Sequence, residues 1–268
     1  MIKNELKSNS LLWKISGNGL INTSYLFGTM HLIPKKDFGI SKKVAKTLKL
    51  CQELILELNL TNIKEMEKAQ QMQVTNNRIS DGLNKNESLE LNLILEKAYS
   101  ISLSEVNHLS PMMVMNKMVT SSFEEEEMTA IDMELIDLAI RSKIKIKGLE
   151  TVKAQIKIAQ KIFTPKELLR QMRMGEDYPE VIKAMIGAYK NGDLSTLHEL
   201  IKDRRFMTEE AEKVMVTNRN KLWARKMPQL LSKEKSIFFA VGAGHLGGEN
   251  GLIVLLRKHG FNLRPLKF

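Results

Sequence analysis

The chain has 268 residues, 43% hydrophobic and 27% charged, with a formal net charge of +10. That length builds one substantial α/β core, and the composition excludes a disordered or coiled-coil chain. The basic excess permits attraction to anionic surfaces or acidic substrates, but the basic residues are scattered among acids, and only four tyrosines and two tryptophans are available for base stacking, so no nucleic-acid partner is expected.

Residues 1–10 form a polar tail without the apolar segment of a signal peptide. This predicts a cytoplasmic chain or an exported one supplied without its leader. Leu11–Ser16 and Ser24–Thr29 read as strands joined by the hairpin turn Gly17-Asn18-Gly19. A helix over Ser41–Gln52 leads into a buried strand, Glu53–Leu58. Cys51, the sole cysteine, excludes an internal disulfide or a thiolate zinc cluster and suits a helical core.

Several helices are expected over Ile63–Thr120, with a turn at Ser80-Asp81-Gly82. Ser110 before Pro111 caps a methionine-rich helix whose Met112, Met113, Met115 and Met118 suit core filling more than a pliable groove. Glu124–Glu127 reads as the solvated entry to the next helix, which carries Ile131, Leu135, Leu138 and Ala139 on one face and ends near Ser142. Ile144, Ile146 and Leu149 alternate in a strand. From Thr151 to about Leu231 the pattern is helical, with breaks near Thr164-Pro165, Tyr178-Pro179 and Asn191-Gly192. A strand over Ser236–Val241, a glycine-rich turn, a helix over Gly251–His259 and a strand over Asn262–Leu266 close the chain. The expected fold is one α/β domain over residues 11–268, with a mixed central sheet formed from both chain ends, flanking helices and a largely helical insertion or cap over 151–231.

Two segments share a layout in which a strand runs into Gly-x-x-His: Tyr25 to His31, through Gly28, and Phe239 to His245, through Gly242. The carboxyl ends of strands in an open α/β sheet face the ligand crevice, and glycine there lets the chain turn sharply enough to aim the following side chain inward. Two imidazoles and a carboxylate bind zinc, iron, manganese or cobalt while leaving positions for water and substrate. His31 and His245 are therefore candidate ligands, and Glu57, at the exit of its strand, is the natural third. Structural turns are the alternative for each. Gly242-Ala243-Gly244-His245-Leu246-Gly247 also matches a dinucleotide fingerprint, but no acid follows Glu249 to bind a ribose.

The segments SYLFGTMHL, ELILELNL, AIDMELIDLA with IKIKGLETVKAQ, TNRNKLWA and FFAVGAGHLGGENGLIVLLRKHGF resemble, in order and spacing, the motifs of TraB/GumN proteins. These are related to the Tiki metalloproteases and more distantly to ChaN and erythromycin esterase. The resemblance implies a metal-dependent hydrolase, with proteolysis in the Tiki branch and manganese or cobalt rather than zinc as activator. Its motif positions fall on Gly28, His31, Glu57, Gly242 and His245, and further on Asp132, Glu150, Arg219 and Asn220, with Gly244 shaping the last turn. Physically, Glu150 suits a proton shuttle or a helix cap, and Arg219 suits an oxyanion or substrate-carboxylate donor or a surface ion pair. Trp223 suits a packing anchor. Relatives are often exported or membrane-attached, so an extracytoplasmic setting is implied, with attachment through a leader or anchor outside this chain. The implied substrate is a peptide or small molecule; the rival class is a non-catalytic protein that sequesters a peptide or metal-bearing ligand in the same crevice.

Overall fold

A computed structural model describes residues 10–37, 39–71, 77–121, 123, 127–174, 177–231 and 234–267. In chain order the elements begin with β1 (Leu12–Gly17), β2 (Ser24–Thr29), β3 (Ile33–Pro34), α1 (Lys42–Lys49) and β4 (Glu53–Leu56). Helices α2 (Ile63–Gln71), α3 (Lys85–Tyr99), α4 (Leu103–Val106) and α5 (Pro111–Ser121) follow, then β5 (Met128–Thr129), α6 (Ile131–Arg141) and β6 (Lys145–Gly148). A helical run comprises α7 (Val152–Ile162), α8 (Pro165–Met172), α9 (Asp177–Lys190), α10 (Leu194–Ile201), α11 (Glu209–Glu212) and α12 (Asn218–Leu230). The chain closes with β7 (Ile237–Gly242), α13 (Leu252–Lys258) and β8 (Phe261–Leu266).

The protein is α/β, and its six-stranded mixed sheet is drawn from both chain ends. It divides into two compact units: Met1–Thr61 with Glu127–Glu150 and Ala184–Phe268, and Asn62–Glu126 with Thr151–Lys183. The second is helical. Its core joins Leu91 and Leu95 of α3, Val114, Met115 and Met118 of α5, and Leu168, Leu169 and Met172 of α8. Met115 and Met118 thus fill core space. Ser110 Oγ accepts the Met113 N–H at the start of α5, and Thr164 caps α8 with Pro165 in its first turn.

The first unit carries the sheet, in the order β6-β4-β7-β2-β1-β8. Strands β6, β4, β7 and β2 are mutually parallel, whereas β1 is antiparallel to both β2 and β8. The continuous apolar run IFFAVG makes β7 the buried centre, since a parallel strand is covered on both faces. β6, at the edge, alternates lysine with apolar residues, a pattern that discourages pairing with another chain. The turn between β1 and β2 requires positive φ at Gly17, Asn18 and Gly19, which is why glycine flanks asparagine there.

Some boundaries differ from expectation. The strand predicted to Leu58 ends at Leu56, because beyond that point the Gly242 N–H turns to the Glu57 side chain instead of a backbone carbonyl. The helix predicted to Gln52 ends at Lys49, where the Leu50 and Cys51 N–H groups cap carbonyls of its last turn. Of the predicted acidic helix entry, Glu124–Glu126 lies outside the described residues; Glu127 pairs with Lys35, and β5 intervenes before α6. Cys51 is buried behind α1, and burial pushes its thiol up to about 11.

Glu53 is buried between β6 and β7, with Lys147 Nζ at 2.7 Å and Lys235 Nζ at 3.6 Å. Burial opposes ionisation, but Lys147 and Lys235 outweigh it and hold the carboxyl below its ordinary range. The pairing therefore adds stability above about pH 4 and loses it as pH falls through the folded-state value. Lys147→Met should lower the unfolding free energy by about 1 kcal/mol at neutral pH. Urea titrations should show that gap closing below about pH 4, and a pH-independent gap would contradict the assignment.

Candidate metal centre

Four adjacent parallel strands deliver one residue each to the same edge of the sheet. Glu150 follows β6, Glu57 follows β4, His245 follows β7 and His31 follows β2. The two Gly-x-x-His turns touch through their first glycine. A Cβ on Gly28 would sit 3.1 Å from both Ala243 Cβ and Leu246 Cδ2, so only a bare Cα allows the approach without displacing a neighbour.

Glu57 sits at the middle. Its Oε1 accepts the Gly242 N–H at 2.8 Å and lies 3.7 Å from His31 Nε2 and 3.6 Å from His245 Nε2. A Cβ on Gly242 would stand 3.1 Å from His31 Nε2 and 3.3 Å from Glu57 Oε1, so that glycine keeps open the space between the donors. Gly244 does not face them; a Cβ there would lie 3.0 Å from Ile201 Cδ1.

The orientation of each imidazole is fixed through Nδ1. Asn220 is buried, and its Nδ2 donates to the carbonyls of His245 at 3.2 Å and Asn250 at 2.8 Å. Its Oδ1 is therefore the acceptor 2.7 Å from His245 Nδ1, so that nitrogen carries the proton and Nε2 holds a lone pair. Burial pushes His245 down to about 3, with Arg219 and His31 adding to the shift against Glu57, so it is neutral at physiological pH. His31 Nδ1 lies 2.8 Å from Asp132 Oδ2, whose other oxygen accepts from Thr29 Oγ1 at 2.9 Å. Asp132, with Glu57 adding, holds His31 well above the usual imidazole range. The side chain of His31 is 60% exposed and gives the cluster its opening to solvent.

Local folding places Asp132. Directly after His31, β3 pairs with β5, in the register Ile33↔Thr129, and the Ile131 N–H donates to the Met30 carbonyl. The first turn of α6 is thereby brought to His31, where an acid also suits the helix amino terminus.

Arg219 completes the cluster, with its side chain 11% exposed. Its Nη2 donates to Glu57 Oε2 and, at 2.6 Å, to Glu150 Oε1, which Nε also reaches at 3.1 Å. Nη1 donates to the Met215 carbonyl at 3.0 Å and points at His245 Nε2 at 3.2 Å. The guanidinium carbon lies 4.6 Å from the centre of the Trp223 ring, which also packs on His245. Burial works to raise Glu57, yet His245, His31 and Arg219 together hold its carboxyl well below the ordinary range.

Every residue singled out from the sequence except Gly244 meets here. The surface-pair alternative for Arg219 is corrected by its pairing with two carboxylates at 11% side-chain exposure, and the cap alternative for Glu150 by Thr151, which itself caps α7. Trp223 is fully buried, as a packing anchor should be. Sequence reasoning missed Thr29, Tyr189 and Met215. Tyr189 Oη donates to the Gly28 carbonyl at 2.9 Å; at a separation of 161 positions, no local pattern signals it. Thr29 adjoins Gly28 and was within reach of a motif-based argument. Among the described residues, no group of three or more His, Cys, Asp or Glu side chains is set to hold a metal ion; the donors are gathered around a guanidinium.

The TraB/PrgY/gumN family profile matches residues 11–265. The chain is similar to metalloprotease TIKI2 of Xenopus tropicalis, 26% identical over 182 residues that cover 57% of this chain and 35% of that protein. It is also similar to a metalloprotease TIKI homolog of Amphimedon queenslandica, 22% identical over an alignment of 330 positions that covers 98% of this chain and 62% of that protein. The chain thus spans less than two thirds of the length of either relative. No solved structure matches.

Asn220→Leu removes three hydrogen bonds while keeping the number and branching of the side-chain heavy atoms. It should lower the unfolding free energy by about 3 kcal/mol in urea denaturation. A loss below about 0.5 kcal/mol, the range of an ordinary surface substitution, would show that Asn220 does not clamp the turn.

Proposed function

We propose that this chain, which belongs to the TraB/PrgY/gumN family, is a metal-dependent hydrolase of the metallopeptidase kind, acting on a peptide or related acyl bond. One observation carries the proposal: His31 Nε2, His245 Nε2 and Glu57 Oε1 converge over the bare Cα of Gly242. The donor set fits a divalent ion in its chemistry. Two imidazoles present Nε2 because Nδ1 is engaged by a carboxylate on one and an amide on the other, the usual support of a metal-bound histidine. Gly242 adds the room that any side chain would fill.

His31, Glu57 and His245 would hold the ion, with manganese or cobalt proposed over zinc. A divalent ion bound there supplies Lewis acidity toward a carbonyl oxygen and makes water a stronger acid. Asp132 and Asn220 orient the two imidazoles. Arg219 offers donors beside the ligand set for the oxygen on which negative charge develops, and Glu150 is the carboxylate that takes up and returns the proton. The naming of the TIKI relatives as metalloproteases supports peptide as the substrate class. An extracytoplasmic setting belongs to the same proposal; among the described residues no helix is long and apolar enough to cross a membrane.

Protein stripped with chelator and resupplied with manganese or cobalt should turn over members of a peptide library. Uptake of metal without cleavage would favour the sequestering class instead. Metal content should fall in His31→Ala, Glu57→Ala and His245→Ala, and equal content in all four proteins would refute the ligand set. Gly242→Ala should fold yet lose most of its metal, because the added methyl occupies the space between two of the donors.

A further inference from the structure

The partners of Arg219 fall into two groups. Glu57 and His245 are proposed metal ligands, and the guanidinium engages both, at Oε2 and Nε2 respectively. Glu150, the Met215 carbonyl and the Trp223 ring are not ligands, and they hold the same guanidinium from its other sides. A guanidinium has five N–H donors, and these contacts engage all three of its nitrogens.

The Met215 contact has its own structural basis. Met215 lies in the π-helical turn Lys213–Thr217, which runs directly into α12. Its carbonyl accepts a hydrogen bond from the Arg219 side chain at 3.0 Å, one turn farther along the same helix. Charge adds a second argument. Glu57 and Glu150 are 7% and 5% exposed, and two buried carboxylates side by side require a compensating cation. Arg219 is that cation, and one of its nitrogens bridges the pair.

We propose that Arg219 is a resident counter-cation that competes with the divalent ion for Glu57 and His245, and that Glu150, the Met215 carbonyl and Trp223 retain it when those two ligands are surrendered. The inference rests on the metal-centre reading above and adds a property that reading does not require: the side chain that stabilises the metal-free protein also weakens metal binding.

The test compares wild type with Arg219→Met and Arg219→Lys, by thermal melting in EDTA and in excess MnCl2 and by calorimetric titration with MnCl2. In EDTA, Arg219→Met should melt below wild type, because the carboxylates lose their cation. It should nevertheless bind manganese more tightly, by about tenfold or more, as expected when one unit charge is removed from within a few ångströms of a partly buried site. Its melting point should also rise further on adding MnCl2. Arg219→Lys keeps the charge and should stay near wild type in affinity. Arg219→Gln, which keeps a donor for the carboxylates, carries the expectation of the methionine variant should that variant not fold. Equal or weaker manganese binding in the neutral variants would overturn the competition while leaving the metal centre standing. Failure of wild type and variants alike to bind manganese would overturn the centre and the competition together.

Discussion

A carboxylate buried at the end of a central strand must be compensated on every side, and Glu57 sets that demand for the whole sheet edge. Leaving such a charge unpaired costs several kcal/mol, so its surroundings are fixed by necessity. The Gly242 amide, two imidazoles and the Arg219 guanidinium all converge on it. They come from β7 and the turn after it, the end of β2, and α12, so compensating one charge ties distant parts of the chain together. The parallel order β6-β4-β7-β2 makes the convergence possible, because parallel neighbours end on the same side of a sheet.

Glycine and proton placement do the finer work. Gly28 and Gly242 allow close approach, one between the two histidine turns and one between the donors. Farther along the second turn the glycines serve the protein's own packing: a Cβ on Gly248, at φ +81°, would lie 2.5 Å from the His198 ring. Asn220 fixes which nitrogen of His245 carries the proton, and burial keeps that ring neutral, so its lone pair faces the cluster at neutral pH.

Much of this was legible in the sequence, for identifiable reasons. The apolar run of β7 and the duplicated Gly-x-x-His layout located two strand ends, and strand parity pointed to Glu57. The positions of Asp132, Glu150, Arg219 and Asn220 came only from family resemblance, since their partners are long-range; Arg219 meets Glu57 across 162 residues of chain. The two-residue strands β3 and β5 are too short for periodicity to reveal, although they carry Asp132 to His31. The π-helical turn before α12 leaves no trace in an apolar pattern built on 3.6 residues per turn. Tyr189 supports the first histidine turn from α9; burial, with Asp132 adding, pushes its phenol well above the usual range, so it remains a donor.

The central claim is a place for an ion, so locating that ion tests it most directly. Crystals grown with MnCl2 and measured on either side of the manganese absorption edge should give one anomalous peak bounded by His31 Nε2, His245 Nε2 and a Glu57 oxygen. A peak bound elsewhere with this cluster still closed around Arg219, or no peak from protein that takes up manganese in solution, would contradict the account.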